Sequence, residues 1–183
     1  MLNRQPVPYF QSGTPAGDEY LAANTFLNGT IYPYPGMLGM IAQFDIGTSG
    51  GHNIVTYQLV KAVTSITPIL GGVLYWSDKT VYSVTDVATA TGQLAGISPR
   101  LNAAAASGFW MILEGDVSVR LIDSPTSTPD TTGKPVVGVT ATAAKADVLT
   151  LATAPQPFYI GRCLSTQDGT TKLATCRVSL LRE

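Results

Sequence analysis

From residue 37 onward, short apolar runs alternate with clusters of turn residues, a pattern that predicts strands rather than helices. Ile54–Val60 is rich in β-branched and aromatic side chains. Gly71-Gly72 introduces Val73–Trp76, Ser77–Thr80 turns into Val81–Val84, and Gln93–Ile97 forms a further strand. Phe109–Leu113 is apolar throughout, whereas Val117–Leu121 alternates and sets Val117, Val119 and Leu121 on one face. Gly115-Asp116 between these two runs is a two-residue hairpin signal. After a Ser/Thr/Pro loop over 123–133, the segments Pro135–Val139, Val148–Leu151, Tyr159–Leu164 and Ala174–Leu181 bring the total to about nine or ten strands. The 23 threonines favour strands as well. Only Leu101–Ser107, with four alanines, suggests a helix, and a short one. The expected fold is all-β, a small barrel or sandwich body over residues 36–183.

Residues 1–35 differ in kind. Pro6, Pro8, Pro15, Pro33 and Pro35, with Gly13, Gly17 and Gly29 between them, leave no alternating run of any length. Proline lacks the amide a sheet ladder needs and keeps the residue before it out of the helical region. An extended N-terminal arm is therefore expected. Disordered tails are charged and poor in aromatics. Here only Arg4, Asp18 and Glu19 are charged, while Tyr9, Phe10, Tyr20, Phe26, Tyr32 and Tyr34 supply six of the fifteen aromatic residues. Those six rings are the candidate assembly contacts, because burying each contributes roughly 1.5–3 kcal/mol. The expectation is an arm that orders on a neighbouring surface; an arm lying on its own core is the alternative.

Composition sharpens this picture. The chain has 183 residues, 45% of them hydrophobic, enough for one domain with a core of its own. Charged residues make up 13%, about half the usual share of roughly 25%. A protein whose surface is largely covered by partners needs fewer charges. The net charge is −1, and the eleven cations are scattered from Arg4 to Arg182. Nucleic-acid binding needs them concentrated, so no nucleic-acid partner is expected. No stretch approaches the eighteen apolar residues of a membrane span, and Met1–Phe10 holds no apolar signal region. A chain made and kept in a cytoplasm, until whatever it joins leaves the cell, is the expectation.

The candidate chemistry is thin. Gly47-Thr48-Ser49-Gly50-Gly51 matches the G-x-S-x-G nucleophile elbow, but an elbow leads from a strand into a helix, and this one runs into a β-branched strand. The only histidine, His52, lies three residues from Ser49 in the same glycine-rich stretch, whereas hydrolase layouts bring the base from far away. A flexible loop is the expected reading. Glu114 and Asp116 flank a turn glycine, where aspartate is common for conformational reasons. Asp123 and Asp130 lack the dense alternation of ligands that calcium sites have. No phosphate loop or dinucleotide fingerprint is present. Trp76 and Trp110 lie inside apolar runs, so core packing is expected over sugar stacking. No enzyme activity, cofactor or metal is expected.

Cys163 and Cys176 sit symmetrically about Gly169-Thr170 and are expected to face each other across the last hairpin. A disulfide stapling that hairpin and a pair of buried small thiols both fit; a reducing cytoplasm favours the thiols.

Several short motifs carry a resemblance. Pro35-Gly36-Met37 closes the leader. Then follow Leu94-Ala95-Gly96-Ile97, Leu113-Glu114-Gly115-Asp116-Val117-Ser118-Val119, Thr132-Gly133-Lys134-Pro135-Val136 and Tyr159-Ile160-Gly161-Arg162-Cys163-Leu164. In order and spacing, over about residues 71–181, this succession resembles the capsid decoration (cement) proteins of tailed phages. The resemblance implies a small β-barrel or β-tulip-like body, no catalytic residues, a homo-oligomer with a trimer favoured, and the major capsid protein as partner. It also implies a place on the outside of the virion capsid, with extended termini clamping neighbouring capsomers. The leader here is longer than in the shortest family members. A receptor- or carbohydrate-binding β module of a phage tail or surface appendage is the alternative, and a serine hydrolase built on Ser49 is a third class.

Overall fold

The structure is a computed structural model that describes residues 38–45, 53–63, 69–87, 93–99, 108–125, 131–139, 142–149 and 158–180. Among these lie ten strands: β1 (Ile41–Asp45), β2 (Ile54–Ala62), β3 (Val73–Asp78), β4 (Ser83–Thr85), β5 (Leu94–Ile97), β6 (Gly108–Arg120), β7 (Pro135–Gly138), β8 (Ala146–Val148), β9 (Tyr159–Cys163) and β10 (Leu173–Ser179). The all-β expectation is met, with one sheet in the order β1-β2-β4-β3-β5-β6-β10-β9-β7-β8. The predicted arm over residues 1–35 and the short helix over 101–107 fall outside the described residues.

An additional pairing of β2 with β6 closes β2, β4, β3, β5 and β6 into a five-stranded barrel. One rung of that ring, β2 to β4, is parallel, with Lys61 opposite Ser83 and Ala62 opposite Val84; the rest is antiparallel. Closure gives each of these five strands a partner on both sides, so none of them is a free edge. The strands beyond β6 run through β10, β9 and β7 to β8, whose Ala146 bridges back to Leu121 just past the end of β6. The amide of Ile122 donates to the Ala146 carbonyl at 2.8 Å at the same place. β6 is therefore common to two circuits of strands.

This arrangement explains the two hydrophobic patterns within β6. Its first half is flanked by β2 and packs on both faces: Phe109, Met111 and Leu113 join Val60, Leu74 and Val84 in one cluster, while Trp110 and Ile112 join Val55, Tyr57 and Tyr75 in the larger one. A strand buried on both sides reads as an unbroken apolar run. In the second half, paired with β10, Val117, Val119 and Leu121 are buried and Ser118 is exposed, the period of two of a half-covered strand.

The hairpin expected at Gly115-Asp116 does not form. Gly108–Arg120 is one strand of thirteen residues. Partners on both sides satisfy the backbone without a turn: Glu114 faces Thr56 of β2 on one edge and Ser179 of β10 on the other. The register with β2 shifts between Thr56 and Tyr57, a bulge that moves the inward set from even to odd positions. Gly115 absorbs the bend at φ 130°, where an added Cβ would lie 2.7 Å from Val55 Cγ2. The Asn53 side chain holds the kink, donating to the Asp116 carbonyl at 2.7 Å and accepting its amide at 3.3 Å.

Three smaller departures remain. The strand expected from Val81 starts at Ser83, because Asp78 caps a single 3-10 turn over Lys79–Val81 by accepting the Thr80 amide at 2.9 Å. The strand expected at Val148–Leu151 runs from Ala146 to Val148. β1 was not expected at all; it pairs antiparallel with β2, Ile41 opposite Gln58.

Gly71 ties the two circuits together. Its amide donates to Ser98 at the end of β5 at 2.9 Å, and its carbonyl accepts the amide of Arg120, the last residue of β6, at 2.8 Å. Next to it, Tyr75 lies fully buried with its hydroxyl donating to the Val139 carbonyl at 3.3 Å and its ring edge-on to Phe158. One apolar interior therefore runs from the barrel into the β7–β10 region.

Candidate assembly face

β9 and β10 build a two-sided layer: β10 alternates, and β9 skips a step at Ile160-Gly161, where its register with β7 shifts. Ala174, Cys176 and Val178 of β10 and Ile160 and Cys163 of β9 point into the core. Thr175 and Arg177 of β10, and Tyr159, Arg162 and Leu164 at and just beyond β9, point outward. Tyr159 is 48% exposed and Leu164 40%.

Register sets the neighbours on this outer side. Asp116, Arg177, Arg162 and Pro135 form one row across β6, β10, β9 and β7. The next row begins Ser118, Thr175, and the Leu164 amide donates to the Thr175 carbonyl at 2.7 Å. Two arginines thus stand opposite each other, an arrangement that destabilises a ladder when nothing balances it. Asp116 balances one of them: Arg177 donates through Nε and Nη2 to the two carboxylate oxygens, both at 2.8 Å. The paired guanidinium holds the Asp116 carboxyl below the usual carboxylate range, and the carboxylate raises Arg177 in turn. Among the described residues no carboxylate forms an ion pair with Arg162.

The last hairpin is as expected. Cys163 faces Cys176 in register, and both are buried. The Cys176 thiol, hydrogen-bonded to Cys163 and desolvated, is pushed well above an ordinary thiol.

The other sequence candidates fare differently. Glu114 is exposed on β6, and Asp116 is taken up by Arg177, so the two acids lie in a continuous strand rather than a turn. Asp123 pairs with Lys145 Nζ at 3.2 Å. Trp110 is buried in the larger core cluster, and Trp76 packs edge-on against Tyr82 beside the smaller one; both serve packing, as expected. Among the described residues no group of three or more His, Cys, Asp and Glu side chains is placed to hold a metal ion, and no helix is long and apolar enough to cross a membrane. The six leader aromatics Tyr9, Phe10, Tyr20, Phe26, Tyr32 and Tyr34 lie outside the described residues, as do Ser49, His52 and Asp130.

The exposed Tyr159–Arg162–Leu164 stripe was missed as a site. The symmetry about Gly169-Thr170 that pairs the cysteines also pairs Arg162 with Arg177, but nothing in it marks Tyr159 and Leu164 as exposed. No protein-family model matches the chain, and no curated protein matches it.

Proposed function

We propose that this chain is a virion structural protein that binds the outside of an assembled phage capsid and stabilises it by bridging major capsid subunits. The observation that carries the reading is the outer side of β9. Tyr159, Arg162 and Leu164 stand exposed there on a strand whose inner side is packed into the core. Tyrosine and arginine dominate the energetics of protein interfaces, and a rigid sheet presents them at little ordering cost. The closed barrel supports the reading too, since a small β-barrel body is what the resemblance implies. Four of the five motifs behind the resemblance lie on or beside β5, β6, β7 and β9, four strands that with β10 form one stretch of the sheet; Pro35-Gly36-Met37 falls outside the described residues.

In this reading the body, as a homo-oligomer with a trimer favoured, docks through the β9 face. The leader, through Tyr9, Phe10, Tyr20, Phe26, Tyr32 and Tyr34, clamps a neighbouring capsomer. Binding only the assembled shell stabilises it by mass action, and a few kcal/mol per copy adds up over the many sites of a capsid. The test is co-sedimentation of purified protein with decoration-free phage shells. Saturable binding is expected, weakened about 30-fold or more by Tyr159→Ala with Arg162→Ala, and weakened again by deletion of residues 1–35. A folded protein that sediments with no shell would overturn the assignment.

A further inference from the structure

Cys163 ends β9, and Cys176 lies directly across the ladder from it in β10. Both side chains are fully buried, and their sulfurs are 3.9 Å apart. The backbone of Cys163 is turned away from β10: its amide donates to the Lys134 carbonyl at 2.9 Å, and its carbonyl accepts the Gly133 amide at 2.7 Å. On the β10 side the next amide, that of Leu164, donates to Thr175 at 2.7 Å. The cysteines therefore occupy a non-hydrogen-bonded rung, where opposing Cα atoms approach to about 4.5 Å and side chains are closest. That separation lies within the span of a disulfide.

The loop beyond the rung holds this register. The Asp168 carboxylate accepts the amides of Thr170 at 3.0 Å and Thr171 at 2.6 Å, and the Thr171 hydroxyl at 2.8 Å. Ser165 Oγ accepts the Thr175 amide at 2.9 Å, and Thr131 Oγ1 donates to the Ser165 carbonyl at 3.0 Å. The sulfurs are held together before any bond forms.

We propose that Cys163 and Cys176 are a modification site that forms a cross-strand disulfide when the chain meets a small-molecule disulfide such as oxidised glutathione. One cysteine gives up its proton to solvent and its thiolate attacks a sulfur of the oxidant, expelling one glutathione thiolate and leaving a mixed disulfide. The second cysteine, deprotonated in turn, attacks the protein sulfur of that bond and expels the second glutathione. The protein loses two protons and two electrons, and the oxidant becomes two thiols. A rotation about χ1 of each residue closes the sulfurs to about 2.05 Å. The bond to Cys163 and burial keep the Cys176 thiol protonated in the closed hairpin, and both side chains are closed to solvent, so exchange proceeds through opening of the hairpin and is slow. This inference is independent of the capsid assignment.

The experiment incubates the full chain with oxidised glutathione and follows it by intact mass and by maleimide labelling in denaturant. The expected result is loss of two hydrogens, loss of both labelling sites, and a linked peptide pair containing residues 163 and 176. Closing a loop of this length should shift the unfolding equilibrium on the order of a hundredfold and raise Tm by roughly 5–10 °C, reversed by dithiothreitol. Cys176→Ser should show neither change. Thiols that remain fully reactive in denaturant, a product arrested with glutathione attached, or bonds formed only between chains would each overturn the proposal.

Discussion

Gly71 offers the sharpest test of the packing at the junction of the two circuits. Its φ is +71°, and a Cβ added there would lie 2.8 Å from the Arg120 amide nitrogen, 2.9 Å from the Ser118 carbonyl oxygen and 3.0 Å from Leu173 Cδ2. The first two neighbours are backbone atoms of β6, which is held by β10 over this stretch, so neither can yield without disturbing that ladder. The left-handed conformation alone costs a non-glycine residue about 1–2 kcal/mol, and forcing a methyl group into filled space adds about 1–3 kcal/mol. Gly71→Ala should therefore destabilise by roughly 2–5 kcal/mol. Gly169→Ala, in the hairpin loop with nothing within 4 Å of the added carbon, should stay within about 0.5 kcal/mol of the parent. Urea titration followed by tryptophan fluorescence measures both variants. Equal midpoints for the two would refute the account of how β3, β5 and β6 are joined.

Four further outcomes follow from contacts described above. Tyr75→Phe removes the bond to the Val139 carbonyl and should cost about 0.5–1.5 kcal/mol. Burial raises the Tyr75 phenol to about 12, above its unfolded value of about 10, so its contribution is complete below the lower value and lost as pH rises to the upper; denaturation midpoints from pH 9 to 12 should fall less steeply in the variant. Asp116→Asn should cost under about 1 kcal/mol, as exposed ion pairs do; the Asp116 contribution is present above the ordinary carboxylate value and fades as pH falls through the lowered one. In the Asp116→Asn background, Arg162→Ala should be neutral or stabilising, because it removes the unbalanced like charge opposite Arg177, and a double-mutant cycle reads this directly. Asp168→Ala should speed hydrogen exchange at the amides of Thr170 and Thr171, which its carboxylate now holds.

The legible parts of this fold were those where local chemistry and long-range pairing agree. The β9–β10 hairpin is centred on Gly169-Thr170, the inward residues of β10 alternate, and its observed register puts Cys163 opposite Cys176 as the symmetry requires. β6 was misread because a glycine marks a bend within a strand and a hairpin alike; only the presence of β2 on one edge and β10 on the other separates the two cases. β1 was missed because Ile41-Ala42-Gln43-Phe44-Asp45 is short and sits beside glycine-rich sequence. The parallel rung between β2 and β4 leaves no mark in either strand's pattern, since any inward valine would serve. The outward stripe on β9 was equally hidden: exposure of Tyr159 and Leu164 depends on which neighbours cover them, and that is a property of the sheet.

A single strand serving both circuits has a consequence for chain cleavage. If the polypeptide were severed between Pro125 and Thr131, the upstream piece would keep the five barrel strands but carry the apolar flank of Val117, Val119 and Leu121 with no β10 beside it. The downstream piece would keep β7 to β10 without the template on which β10 lies. Neither piece is whole, and each holds what the other lacks, so the two should reassociate as a nicked, native-like complex.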